Sequence, residues 1–244
     1  MTGGEAKAVD AAALGRVQWR YFDWVMAAFV TVLLLSNVLG AGKVGAVDLP
    51  WFGVQPFGAG ILFFPLAYVI GDVLTEVYGY GRARRCIWAG FCALLFMAGM
   101  SWVVVALPPH PTWTGQEAYE AVFGQVPRIV FASIMAFWAG EFANSYVLAR
   151  MKIWTEGRHL WTRTIGSTFV GQGIDSLIFY PLAFWGVWSN ETLLKVLLIQ
   201  WALKVGWEVL LTPVTYAVVG FLKKREGVDV FDRGTDFTPF KAGA

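Results

Sequence analysis

The sequence predicts an all-α integral membrane protein, with six transmembrane helices and both termini cytoplasmic. Three observations lead there. Only 15% of the 244 residues are charged and 57% are hydrophobic, against about 25% charged in a soluble globular chain. Mean hydropathy is +0.56, and 13 Trp with 19 Phe leave too little polar surface for a water-soluble fold. Finally, the basic residues concentrate in alternate segments between the apolar runs. This composition argues against a soluble enzyme, and a formal net charge of +2 gives no balance that points to nucleic acid.

A span needs about 20 mainly apolar residues, because the hydrocarbon core is about 30 Å thick and a helix rises about 1.5 Å per residue. Residues 1–21 form a cytoplasmic N-terminal tail. Within it, Met1 to Gly15 is Ala- and Gly-rich, carries mixed charge and lacks a cleavable signal pattern, which predicts disorder. The membrane domain covers 22–222. Its first span runs from Trp24 to Gly42 without a charge, and its second from Ala59 to Tyr78. Between them, Val44 to Gly58 with its prolines reads as a small outer hairpin or a re-entrant piece. Span three is Cys86 to Leu107. Pro108 to Val126 follows, with Trp113, Tyr119 and Phe123 among Glu117 and Glu120, and reads as a short interfacial helix or an exposed loop. Spans four, five and six are Arg128 to Ala149, Thr164 to Val187 and Thr192 to Leu222, and 223–244 is a cytoplasmic C-terminal tail.

Positive charge tests the count, because cytoplasmic segments are enriched in Lys and Arg. The expected inner segments hold Lys7, Arg16 and Arg20; Arg82, Arg84 and Arg85; Arg150, Lys152, Arg158 and Arg163; and Lys223, Lys224, Arg225, Arg233 and Lys241. The rest are Lys43, Arg128 and Lys195 near outer span ends, and Lys204 inside span six. An even number of spans with both termini inside fits this distribution.

Ionisable residues at membrane depth are costly and mark functional positions facing a bundle interior. Asp72, Glu76, Glu141, Asp175, Lys204 and Glu208 fall there, accompanied by Asn37, Asn144, Gln172 and Gln200. Asp72 and Glu76 share one helix face one turn apart. Such close carboxylates repel unless a cation or a proton intervenes. Lys204 and Glu208 have the same spacing and can neutralise each other within the helix; alternatively, Lys204 partners an acid across the bundle. Glu76 could instead sit at the interface, balanced by Arg82 or Arg84. Glu141 with Asn144 could be interhelical glue. Asp72 and Asp175 have no in-helix cation, which favours a functional role. Phe63, Phe64, Phe179, Tyr180 and Trp185 are the aromatics close enough in sequence to stack on a ligand.

Cys86 and Cys92 lie in one apolar run and imply no disulfide, and His110 with His159 offers no metal constellation. The sequence has no phosphate-binding G-x-x-x-x-G-K-[ST], no H-E-x-x-H and no G-x-S-x-G, so no cofactor is expected. Gly171-Gln-Gly-Ile-Asp175 superficially resembles an intramembrane aspartyl protease signature, but with one residue too many.

Several longer stretches carry a more specific resemblance. They are Ser36-Asn37; Phe64-Pro65 through Gly71-Asp72, Thr75, Glu76, Tyr78-Gly79 and Arg82 to Arg85; Ala132-Ser133 through Gly140-Glu141; Ser167-Thr168 through Gly171-Gln172, Asp175-Ser176 and Phe179; and Leu203-Lys204-Val205. In this order they resemble the bacterial queuosine precursor transporter family, within the vitamin uptake transporter group, over Trp24 to Leu222. The resemblance implies import of 7-deazaguanine bases such as preQ0 or preQ1 for tRNA queuosine salvage, without contact with nucleic acid. It implies a substrate site drawn from Asn37, Phe64, Asp72, Thr75, Glu76, Glu141, Asn144, Gln172, Asp175, Phe179 and Lys204. The acids Asp72 and Asp175 and the lysine Lys204 fit the family pattern. A guanine-like edge offers adjacent N–H donors that a carboxylate accepts together. Asp175 or Glu141 is thus expected to read that edge, and Asp72 or Glu76 to meet an amine or a coupling proton. Asn37 and Gln172 add hydrogen bonds, and Lys204 balances charge.

Two other readings fit the same features: a substrate-binding subunit docked on an energy-coupling module, and a membrane enzyme using an Asp72–Asp175 acid pair. Beyond the small-molecule substrate and membrane lipid, the expected partners are a coupling proton or ion and a second copy. The small residues Gly166, Ser167, Gly171 and Gly173 suit tight helix packing or a homodimer face.

Overall fold

The computed structural model describes residues 6–11, 18–39, 44–49, 53–58, 62–124 and 127–240. Its elements are, in order, β1 (Lys7–Asp10), α1 (Phe22–Leu39), β2 (Val44–Leu49), β3 (Gly53–Gly58), α2 (Phe64–Tyr78) and α3 (Tyr80–Val105), followed by α4 (Gln116–Phe123), α5 (Pro127–Trp154), α6 (Leu160–Phe184), α7 (Asn190–Glu226) and β4 (Val228–Phe231). Helices occupy each of the six expected places, and α4 is the short helix expected between spans three and four. Residues 40–43 and 59–61, assigned above to the end of span one, the following linker and the start of span two, lie outside the described residues, as do Arg16 and Lys241.

By length and composition, four stretches can cross a membrane: α1, α3, Gln116–Trp154 (containing α4 and α5) and α7. The other two long helices fall short for physical reasons. α2 has 15 residues, about 22 Å at the helical rise and shorter than the hydrocarbon core. In α6, polar residues from Arg163 to Ser176 dilute the hydropathy. These two helices carry much of the bundle's polar interior.

Burial is inverted relative to a soluble protein. Large apolar side chains face outward, with Phe96, Trp102 and Leu210 about 70% exposed, whereas Arg163, Lys152, Glu76 and Glu208 are among the largest fully buried side chains. Such an exterior suits lipid, and the fold is that of an all-α, multi-pass membrane protein.

At one end of the bundle the chain segments interlock. Gly79 alone separates α2 from α3. Its φ of +82° is a glycine conformation, and a Cβ there would stand 2.8 Å from Val230 Cγ1. Arg82, Arg84 and Arg85 therefore lie in the first turns of α3 rather than in a loop. The turn between α5 and α6 is equally tight, with left-handed Glu156, Gly157 and His159. The Arg163 guanidinium pins it by donating to the Thr155 hydroxyl and the Arg158 carbonyl.

The expected disordered N-terminal tail is corrected in part: Lys7–Asp10 pairs in parallel with β4. The segment after Leu222 is likewise folded onto the bundle. Asp232 accepts from the Tyr80 amide at 3.0 Å, Arg84 donates to the carbonyls of Asp236 and Thr238, and Trp88 donates to that of Pro239. Glu226 accepts from the amides of Arg20 and Tyr21 and from the Tyr78 hydroxyl, tying α7 to the start of α1. At the opposite end lies the expected hairpin, with β2 and β3 antiparallel from Val44↔Gly58 to Leu49↔Gly53. Pro56 is tolerated because each strand of an isolated hairpin has a free edge. Ser189 caps α7 by accepting from the Thr192 amide.

Candidate functional site

The site is built where α5 and α6 come closest. A Cβ on Gly171 would lie 2.6 Å from Asn144 Cβ, and one on Gly140 would lie 2.9 Å from Asp175 Cβ. Only glycine permits this approach, which brings Glu141 and Asn144 of α5 beside Gln172 and Asp175 of α6. α2 closes a third side. A Cβ on Gly71 would be 3.0 Å from Glu141 Oε2, and the Asn144 amide donates to Asp72 Oδ1 at 2.7 Å. One helical turn further on, the Thr75 hydroxyl bonds Ser145 across the same helix pair at 3.0 Å.

α7 supplies the only cation that bonds an acid of this group among the described residues. Lys204 donates to Asp175, not to Glu208 four residues along its own helix. The intrahelical Lys204–Glu208 pair is therefore corrected to a pair between α6 and α7. Glu208 is buried with neither carboxylate oxygen hydrogen-bonded among the described residues, although the Thr168 side chain sits beside it. Asp72 lies within electrostatic reach of Glu208 and Glu141, and Glu141 within reach of Asp175 and Lys204.

The interior is thus rich in unfilled acceptors. Asp72 Oδ2, Glu141 Oε2, Asn144 Oδ1, Gln172 Oε1 and both Glu208 oxygens are buried without a hydrogen-bond partner among the described residues. Buried polar atoms are ordinarily paired. A group that leaves several acceptors open is suited to a ligand that brings donors or positive charge.

Glu76, one turn from Asp72, belongs to a different assembly. Its Oε1 accepts from Arg163 at 2.8 Å and Lys223 at 2.7 Å, with Lys152 at 3.4 Å. Lys152 and Lys223 in turn hold Asp229 of β4 at 2.6 and 2.7 Å. The cations expected for Glu76, Arg82 and Arg84, are elsewhere: Arg82 lies over the Trp19 ring, and Arg84 holds the C-terminal segment. Outside the helices, Asp229 feels burial first, which alone would raise its carboxyl, but Lys152 and Lys223 outweigh it and hold the group below the usual carboxylate range. Burial pushes Asp232 up, partly offset by the Tyr80 amide and the Thr235 hydroxyl.

The structure brings together Asp72, Glu141, Asn144, Gln172, Asp175 and Lys204. It assigns Glu76 to the ion-pair assembly and Thr75 to the α2–α5 contact. Asn37 is not drawn in; its described hydrogen bonds stay within α1, to the Leu33 carbonyl and Ser36. Phe64 opens α2, and its side chain lies outside the described residues. Phe179 packs edge-on against Tyr180 and Phe184. Trp185 is 67% exposed and does not line the cluster. Two members were left out of the substrate site expected from the sequence, Glu208 although it was named among the intramembrane acids. Glu208 looked satisfied by Lys204, and Tyr68, one turn before Asp72, lies within reach of Asp175, Glu141 and Glu208.

Comparison with known proteins agrees with this architecture. A family model described as "Putative vitamin uptake transporter" matches residues 58–218. A probable queuosine precursor transporter of Bacillus subtilis (strain 168) is 30% identical over 217 residues, covering 82% of this chain and 92% of the relative. The queuosine precursor transporter of Escherichia coli (strain K12) is 27% identical over 207 residues, covering 83% and 87%. No solved structure matches the chain. The matched region contains the whole acid-bearing interior from α2 to α7, and the chain belongs to the vitamin uptake transporter family.

Proposed function

We propose that this protein imports a 7-deazaguanine precursor of queuosine across the bacterial inner membrane by secondary active transport. The names of its relatives supply the cargo class. The observation that carries the reading is the buried set of open acceptors between α2, α5, α6 and α7. A guanine-like edge presents N1–H and an exocyclic amine as adjacent donors, complementary to Glu141 Oε2 with Gln172 Oε1 on either side of the Gly140–Gly171 contact. Lys204 already neutralises Asp175, so Glu141 is the acid left to read the base. Asp72 then meets an aminomethyl group or a coupling proton, and Glu76 does neither, because its carboxylate is engaged by three cations.

The membrane domain is residues 22–222 with six spans, and 1–21 and 223–244 lie on the cytoplasmic side. In support, both chain ends meet in the β1–β4 pair, at the same end of the bundle as the arginine-rich turns. The test is complementation. A bacterium unable to make queuosine, carrying this gene and given preQ0 or preQ1, is scored for the modified base in its tRNA. The modified base is expected with the wild type and not with Glu141→Gln at equal membrane abundance. Wild-type failure with both precursors would overturn the cargo assignment.

A further inference from the structure

We propose that Asp72 and Glu208 form a proton-binding pair that couples entry of the cargo to entry of a proton. The inference rests on the transport reading above and assigns the coupling to particular atoms. Both residues are essentially inaccessible, at 0% and 1% exposure. Asp72 Oδ2 and both Glu208 oxygens have no hydrogen-bond partner among the described residues. The donors that do reach the pair are uncharged: the Asn144 amide on Asp72 Oδ1 and the Thr168 side chain beside Glu208. Asn144 is itself 4% exposed and keeps Oδ1 unpartnered beside the pair.

Charge decides what this place holds. The ionisable groups within reach of the pair are Tyr68 and Glu76 from α2 and Glu141 from α5, and Glu141 in turn lies within reach of Asp175 from α6 and Lys204 from α7. Lys204 is committed to Asp175, and the cations on Glu76 are committed to Glu76 and Asp229. With both carboxyls ionised, the Asp72–Glu208 pair would hold two negative charges in a low dielectric with no side-chain cation bonded to either among the described residues. Two carboxylates within electrostatic reach of each other there do not both stay ionised, so the pair keeps one proton.

The step balances without a co-reactant. A proton from the outer side forms an O–H on the carboxyl still ionised, lowering the pair's charge from one negative to none. The same bond breaks when the proton is released inside. The location also suits coupling. Asn144, which holds Asp72, sits three residues from Glu141 and against Gly171, so occupancy of the base-reading acceptors is felt at the pair.

The test uses purified full-length protein in proteoliposomes, a labelled 7-deazaguanine base and imposed pH gradients. One-for-one coupling makes wild-type accumulation rise about tenfold per pH unit of inward gradient. Glu208→Gln should lose that dependence, while Glu191→Gln, an exposed acid on the same helix, should follow the wild type. Gradient dependence retained in Glu208→Gln overturns the proposal, as does wild-type uptake indifferent to the gradient; either leaves the transport reading intact. Wild-type vesicles that take up no labelled base overturn both. Should Glu208→Gln fail to insert, calorimetry of base binding to the wild type in buffers of different ionisation enthalpy counts protons directly. About one proton per base supports the pair, and none refutes it.

Discussion

Asp72 and Glu76 lie one turn apart on the same face of α2, are equally buried, and have opposite surroundings. Three cations from α5, α6 and α7 converge on Glu76, and two of them, Lys152 and Lys223, also hold the C-terminal strand through Asp229. Asp72 receives one neutral amide and faces another acid. A buried carboxylate enclosed by opposite charge holds helices in place. One left short of partners is available to a ligand or a proton. The contrast teaches that intramembrane charge alone does not mark a transport site; the state of its neighbours does.

Substitution can break this comparison. Glu76→Gln leaves the buried Arg163 without a carboxylate and Lys152 and Lys223 with Asp229 alone, and should cost about 3–5 kcal/mol of stability, read as a lower melting midpoint in detergent. Asp72→Asn keeps the shape of the side chain and should stay within about 1 kcal/mol of wild type by the same measurement while abolishing uptake. The reverse pattern would overturn the assignment of roles. Gly171→Ala should destabilise by about 1–3 kcal/mol through overpacking, since the new methyl meets Asn144 Cβ and the Gly140 carbonyl. Its uptake should fall together with its melting midpoint.

Finer effects sharpen the contrast. Lys204→Met and Asp175→Asn should each reduce uptake, and the double variant should lose less than the two combined, with a coupling of about 1 kcal/mol. Strict additivity would deny the ion pair a functional role. The smallest effect concerns pH. Asp229 binds its proton more weakly in the folded chain than in the unfolded one, so its stabilisation is complete above about pH 4 and fades as pH falls through the lower folded value. Protease protection of the C-terminal segment should weaken in that acid window in the wild type, and should be weaker at neutral pH in Asp229→Asn.

Much of the fold was legible because lipid imposes a one-dimensional rule: apolar runs of sufficient length become helices, and basic residues mark the turns between them. The helices α1, α3, α5 and α7 follow from that rule. What composition could not show was how helices pair. Lys204 has the spacing to meet Glu208, yet the close approach of α5 and α6 at Gly140 and Gly171 puts Asp175 within its reach. Glu76 likewise has arginines nearby in sequence, but its cations arrive from residues 152, 163 and 223. The β1–β4 pairing joins segments more than 200 residues apart and leaves no local signal. For the site, acids could be named from depth alone, whereas the isolation of Glu208 emerges only when its competitors are placed.

The length of α7 has a consequence for how its two acid contacts are joined. Its 37 residues span about 55 Å, well beyond the hydrocarbon thickness, so one helix carries both Glu208 near its middle and Lys223 fifteen residues on, about 22 Å along the axis. Pro213 falls between them and removes a rung from the backbone hydrogen-bond ladder, so the half bearing Glu208 and the half fastening Glu76 and Asp229 meet where the helix is weakest.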